Sequence, residues 1–115
     1  MMFGSGVPTV EVGALAADDF LLDVREADEW EAGHAEAALH IPMSEFTARF
    51  GELTEKAPDA GRIHVICRSG GRSAQVTAYL VQQGMDAVNV GGGMQAWEAA
   101  GRPVVASGGG PGAVI

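Results

Sequence analysis

The stretch "RIHVICRSGGRSAQVTAYLVQQGMDAVNV" (62–90) decides the fold, because it holds a complete strand–helix–strand unit. Residues 62–67 form an apolar run that predicts a buried strand. Residues 72–84 have apolar positions three or four apart, which predicts a helix ending at Gly84. Residues 86–90 predict the next strand. Two strands joined in this way predict a parallel pair with a helical crossover.

The same alternation continues on both sides of this unit. Short apolar or β-branched runs predict further strands, and segments with helical spacing follow them. The additional strands are predicted at 9–12, 20–24 and 38–42, the helices at 25–33, 44–53 (with Ser44 as N-cap) and 94–101, and a turn at 57–61. Strands that alternate with helices predict an α/β fold with a mostly parallel central sheet flanked by helices on both faces.

Composition and charge limit the classes of protein that fit. The 115 residues suit one domain, and 47% hydrophobic with 19% charged residues is typical of a soluble globular protein. The net charge of −8 argues against nucleic acid and anionic membranes as partners. We expect no signal peptide and no membrane span. The single cysteine excludes an intrachain disulfide, and a free thiol suits a reducing cytoplasm, where we expect a monomer or a weak dimer.

That cysteine, Cys67, ends the strand predicted at 62–67, at the crossing into the next helix. In open parallel sheets, binding sites form at the carboxyl ends of the strands. A cysteine of ordinary pKa is only about 3% thiolate at pH 7, and lowering the pKa by two units needs roughly 2.7 kcal/mol. A helix N-terminus supplies about 0.3–1 kcal/mol, so a reactive thiolate here requires further hydrogen-bond donors.

The loop after Cys67 carries residue types that could supply these donors. Two consecutive glycines permit the unusual φ values that turn backbone N–H groups inward, two serines add hydroxyls, and two arginines add positive charge. The candidate substrate-binding residues are Arg68, Ser69, Gly70, Gly71, Arg72 and Ser73. Together they predict an anion-binding cradle around a nucleophilic Cys67. The alternative is a small buried thiol between solvated surface charges.

Four segments, in order, resemble the rhodanese family of sulfurtransferase-type domains. They are "LLDVRE" (21–26), "DEWEAGHAEAALHIP" (28–42), "VICRSGGRSAQ" (65–75) and "VNVGGGMQAWEAAG" (88–101). The resemblance covers 7–105, so we expect a rhodanese-like domain there, a flexible N-terminus at 1–6 and a Gly-rich mobile tail at 106–115. The chain departs from the family pattern at Ala35 and Ala37, and it leaves little room for the usual first helix.

The resemblance implies a sulfur transfer in two steps through Cys67. The thiolate attacks the outer sulfur of a small anionic donor such as thiosulfate, releases sulfite and holds the sulfur as a persulfide. A thiophilic acceptor (cyanide, a thiol or a protein) then takes it. Arg68 and Arg72 would offset the charge of the donor, whereas Asp23 and Arg25 would form a structural ion pair. The resemblance implies neither a metal nor an organic cofactor.

Two other functions stay open on the sequence alone. Cysteine phosphatases and arsenate reductases place five residues between cysteine and arginine, whereas four separate Cys67 from Arg72, which makes a tight fit for a tetrahedral oxyanion. The second is a binding module or a protein-to-protein sulfur relay. Assays with thiosulfate and with a protein persulfide would separate the relay from a small-molecule enzyme.

Overall fold

The structure, a computed structural model, describes residues 7–57 and 61–115. The flexible N-terminus predicted at 1–6 and most of the turn predicted at 57–61 lie outside these residues. The strands are β1 (Thr9–Glu11), β2 (Phe20–Asp23), β3 (Leu39–His40), β4 (Ile63–Ile66) and β5 (Ala87–Gly91), and the helices are α1 (Ala27–Ala32), α2 (Phe50–Lys56), α3 (Gly71–Gln82) and α4 (Gly93–Ala99). No helix in the described part of the chain has the length and apolar character needed to cross a membrane.

The five strands form one sheet in the order β1-β5-β4-β2-β3, and every pair of neighbours is parallel. β4 lies at the centre, with Val65 level with Leu22 of β2 and Asn89 of β5. All four residues of β4 are buried, as expected for a parallel strand covered on both faces. The predicted α/β fold is confirmed.

One apolar core lies on each face of the sheet and fixes the helices to it. The first contains residues of α2 and α3, and the second contains residues of α4 and of a 3-10 helix that follows β1. Members of the first are Leu22, Leu53, Val65, Val76 and Leu80; members of the second are Val12, Leu21, Ile66, Val90 and Met94. Because both faces of the sheet are covered, solvent can reach the central strand only at its two ends.

The prediction of a helix at 44–53 was wrong about its start. The helix α2 begins at Phe50, and a 3-10 turn occupies Met43–Glu45. Ser44 does not act as an N-cap; its hydroxyl donates to Oε1 of Glu26 over 2.6 Å. Arg49, with φ −106° and ψ 13°, is outside the helical region and donates to the backbone oxygen of His40. The first contact joins the segment to the start of α1 and the second joins it to β3, and residues 46–49 do not form a helix.

The residues after α4 return along α1. Val105 forms isolated antiparallel bridges with His34 and Pro111, and the N–H of Ala113 donates to the backbone oxygen of Ala32 over 2.9 Å. Gly33 permits this approach, since an added Cβ would lie 2.6 Å from the nitrogen of Ala113. The mobility expected for the tail stays a prediction, but these contacts define where the segment lies.

Candidate active site

Cys67 directly follows the last residue of β4, at the carboxyl edge of the sheet and at its centre. The residue is 1% exposed. The backbone N–H of Gly70 donates to its Sγ over 3.1 Å, and the hydroxyl oxygen of Ser73 lies 3.2 Å from the same sulfur. The loop and the first turn of α3 therefore surround the sulfur with hydrogen-bond donors.

These donors change the acidity of the thiol. Burial raises the pKa of Cys67, but hydrogen bonds from the Ser73 hydroxyl and from the backbone N–H groups of Ser73, Gly70 and Ser69 outweigh it, so the pKa lies below its ordinary value. The two serines act differently: Ser73 directs its hydroxyl at the sulfur, whereas Ser69 contributes its backbone N–H and has an exposed side chain. Backbone and hydroxyl dipoles thus favour the thiolate.

The two glycines of the loop also differ. Gly70 has φ +113°, in the left-handed region that favours glycine, and this conformation presents its N–H to the sulfur. For Gly71 the expectation of an unusual φ was wrong. Gly71 is the first residue of α3, one position before the predicted start, and a helical φ does not require glycine. An added Cβ at Gly71 would meet nothing within 4 Å.

The glycine turn before α4 holds the cysteine loop from its other side. The N–H of Met94 donates to the backbone oxygen of Cys67 over 2.7 Å, and that of Gln95 donates to the oxygen of Arg68 over 3.0 Å. Gly93 has φ +57°, and an added Cβ there would collide with both of these oxygens. Sequence reasoning did not find this support, although the glycines at 91–93 were a signal of close backbone approach.

Asn89 of β5 belongs to the same hydrogen-bond network and was also missed. It is 6% exposed; its Oδ1 lies 2.5 Å from the hydroxyl oxygen of Ser73, and its Nδ2 donates to the backbone oxygen of Gly70. Ser73 has a single hydroxyl proton to share between Asn89 and Cys67. A polar residue in the otherwise apolar strand "AVNV" was the signal that could have identified it.

Arg72, at the start of α3, pairs with Glu29 of α1. Its Nη1 and Nη2 donate to Oε1 and Oε2 over 2.7 and 2.8 Å. Hydrogen bonds from Arg72 lower the pKa of the Glu29 carboxyl, and the carboxylate raises the pKa of Arg72. The two residues are 43 positions apart, so no local spacing indicated the pair. Binding of an anionic donor by Arg72 stays a prediction.

Arg68 is exposed and makes a contact of a different kind. Its Nε donates to the backbone oxygen of Ile115 over 2.8 Å, which brings the returning tail to the cysteine loop. The acceptor belongs to the main chain, and among the described residues no acidic side chain forms a salt bridge with Arg68. Its predicted part in binding a donor likewise stays a prediction.

The predicted ion pair between Asp23 and Arg25 is present and lies outside the cysteine loop. Nη2 of Arg25 is 2.7 Å from Oδ2 of Asp23, and both side chains are fully buried. Arg25 also donates to the backbone oxygens of Glu29 and Gly33, at the start and the end of α1 respectively. The pair thereby joins the end of β2 to α1 and sets the position of the carboxylate that binds Arg72.

A parallel α/β sheet that presents a cysteine, within a donor-lined loop, at the end of its central strand defines the class of protein. The family model described as "Rhodanese-like domain" matches residues 10–100. The chain belongs to this family.

Relatives and solved structures agree with that assignment. A sulfurtransferase of Allochromatium vinosum is 40% identical over 90 residues, covering 77% of this chain and 80% of that protein, and YtwF of Bacillus subtilis is 44% identical over 87 residues, covering 73% and 78%. A rhodanese-related protein of Thermoplasma volcanium is 33% identical with a TM-score of 0.76, covering 85% of this chain and 97% of that one. A thiosulfate sulfurtransferase of Pseudomonas aeruginosa is 27% identical with a TM-score of 0.72, and the match spans 22% of its chain.

Proposed function

We propose that the protein is a sulfurtransferase that carries a sulfane sulfur as a persulfide on Cys67. The observation that carries this proposal is the position of Sγ, 3.1 Å from the N–H of Gly70 and 3.2 Å from the hydroxyl oxygen of Ser73. The lowered pKa of Cys67 increases the fraction of the thiol present as the nucleophilic thiolate. The sulfurtransferases among its relatives support the same chemistry.

In the first half-reaction the Cys67 thiolate attacks the outer sulfur of a donor such as thiosulfate. A sulfur–sulfur bond forms on Cys67, the bond to the inner sulfur breaks, and its electron pair leaves with sulfite. The product is a Cys67 persulfide anion, and the total charge of −3 is the same before and after the step because thiolate and persulfide each carry one charge. The charge of the persulfide lies on the outer sulfur, which backbone N–H groups of the cysteine loop would stabilise.

In the second half-reaction a thiophilic acceptor attacks the outer sulfur of the persulfide and regenerates the Cys67 thiolate. Cyanide would give thiocyanate, and a thiolate would give a new persulfide. A protein acceptor would use the same step. Because the first product leaves before the acceptor reacts, we expect ping-pong kinetics. The reaction also requires a thiol that stays reduced, which fits the proposed cytoplasmic location.

A protein-to-protein sulfur relay is the second candidate. The guanidinium of Arg72 is engaged by Glu29 and is not free to bind a small anion, which favours a donor recognised through other contacts, such as a protein persulfide. The same engagement disfavours a phosphatase, which needs its loop arginine free to bind the oxyanion.

The test is the intact mass of the reduced, desalted protein after brief exposure to thiosulfate, alongside the variant Cys67→Ser. We expect a gain of one sulfur atom that is absent in the variant and is lost when cyanide is added. Both proteins should have the same circular dichroism spectrum, because Ser replaces Cys with little change of volume. If wild type gains no sulfur from thiosulfate but gains it from a protein persulfide, the relay is the function. If it gains none from either, the proposal fails.

A further inference from the structure

The ion pair between Glu29 and Arg72 affects the electrostatics of the cysteine loop. Each oxygen of the carboxylate accepts from one guanidinium nitrogen, and the two side chains are 15% and 34% exposed. The charge of the Cys67 thiolate contributes to the raised pKa of Arg72, which places this guanidinium within electrostatic reach of the sulfur. Arg72 would attract an anionic donor if its charge were free, but a carboxylate in bidentate contact offsets that charge.

Glu29 is held in place by contacts other than Arg72. Its Oε1 accepts a hydrogen bond from the backbone N–H of Glu26 over 3.1 Å, as part of a reciprocal capping box at the start of α1. The buried Arg25 fixes the backbone of the same helix. Because contacts independent of Arg72 position the carboxylate, an incoming donor must compete with a preorganised partner for the guanidinium.

We propose that Glu29 is a specificity-determining residue that, by occupying Arg72, selects against dianionic sulfur donors such as thiosulfate and in favour of donors of lower charge. This inference rests on the proposed persulfide chemistry at Cys67. Glu29 touches no reacting atom and acts through Arg72. The other cation of the loop, Arg68, is the same in wild type and in a variant of Glu29, so a comparison of the two reports on Arg72. The acidic chain as a whole, with its net charge of −8, acts in the same direction.

The discriminating experiment compares two donors that differ in charge and share a reaction. Thiosulfate is a dianion that leaves sulfite, and methanethiosulfonate is a monoanion that leaves methanesulfinate; each gives its outer sulfur to Cys67. The variant Glu29→Gln removes the charge and keeps an oxygen that can accept from the N–H of Glu26. A general change in the reactivity of Cys67 would affect both donors equally, so the ratio of their kcat/KM values isolates the effect of donor charge.

In Glu29→Gln we expect kcat/KM for thiosulfate to rise about fivefold, since a partly exposed charge contact is worth up to about 1 kcal/mol. The rise for methanethiosulfonate should be about twofold, because the Coulomb energy is proportional to the charge of the donor. The gain should appear mainly as a lower KM for thiosulfate. The matched control is Asp86→Asn, which makes the same change in net charge. Asp86 forms an exposed pair with Arg62 at the amino ends of β5 and β4, away from Cys67 at the carboxyl end.

A double-mutant cycle shows whether the effect passes through Arg72. Glu29→Gln should raise kcat/KM for thiosulfate in the wild-type background but not in the Arg72→Gln background. The comparison of Arg72→Gln with the double variant also holds if Glu29→Gln alone is less stable. Equal changes for both donors, no change, or a gain that survives loss of Arg72 would overturn the inference while sulfur loading of the wild type still stood. Failure of both donors to load sulfur on Cys67 would overturn the proposed function and this inference with it.

Discussion

Removing the Ser73 hydroxyl tests how the site makes Cys67 reactive. In Ser73→Ala the sulfur loses the hydroxyl oxygen that lies 3.2 Å from it and keeps the backbone N–H donors of the loop. Burial of the sulfur continues to raise its pKa and is opposed by fewer hydrogen bonds. We therefore expect the pKa of Cys67 to rise toward its ordinary value, with the thiolate fraction at neutral pH falling accordingly.

The size of the shift follows from the contacts of the hydroxyl. A hydrogen bond to a charged group contributes about 1.5–3 kcal/mol, and one pKa unit corresponds to 1.36 kcal/mol, which gives about one to two units. Ser73 also lies 2.5 Å from Oδ1 of Asn89 and has one proton for both partners, so the lower end applies. A shift of about one unit makes the thiolate about tenfold scarcer at a pH below both pKa values.

The assay is the rate of alkylation of Cys67 by iodoacetamide across a pH series, with the pKa taken from the midpoint. Ser69→Ala is the matched control, because Ser69 acts on the sulfur through its backbone N–H and has an exposed side chain. We expect the midpoint of Ser69→Ala to equal that of wild type. A midpoint for Ser73→Ala at or below the wild-type value, with an intact fold by circular dichroism, would refute the assignment of the hydroxyl as a thiolate donor.

Two further substitutions test the support of the site. Gly93→Ala places a side chain at φ +57° against the backbone oxygen of Cys67, so chemical denaturation should show a loss of about 1–3 kcal/mol in the free energy of unfolding, and alkylation of Cys67 should slow; unchanged values would contradict the close contact. Arg25→Ala leaves the buried Asp23 unpaired and should cost about 3–5 kcal/mol, whereas Arg62→Ala, in an exposed pair, should cost about 1 kcal/mol or less; similar losses in both would show that burial does not govern the cost.

The fold could be predicted because its determinants are local. Short apolar or β-branched runs predict the strands, and the described sheet has its strands within two residues of the predicted bounds. The parallel arrangement follows from the alternation of strands and helices. The exception was the segment at 44–53, where apolar spacing alone suggested a helix. Contacts of Ser44 and Arg49 with distant residues determine its conformation, and these cannot be read from spacing.

The site was predictable in part for the same reason. Cys67 and the loop after it could be located because they occupy consecutive positions at the end of a strand. Glu29, Asn89 and Gly93 could not be assigned to the site, because each reaches it from another element and only the packing of the sheet brings them together. The charges near the thiol were predictable only in part: two arginines predicted a cationic cradle, which stays a prediction, but the pairing of Arg72 depends on a carboxylate 43 residues away.

The structure therefore changes the account of how an acidic chain activates its thiol. Direct stabilisation of the sulfur comes from the hydroxyl and backbone dipoles of the loop, with Arg72 already offset by Glu29. This arrangement has a chemical advantage, since the nucleophilicity of a thiolate falls as its pKa falls, and a thiol works best with a pKa near the ambient pH. Two guanidiniums without acidic partners beside the sulfur would lower the pKa of Cys67 further, and the resulting thiolate would be a weaker nucleophile toward the donor. Neutral donors lower the pKa of Cys67 without the attraction of a cation, and under the proposed function the same donors would stabilise a persulfide and leave it free for transfer.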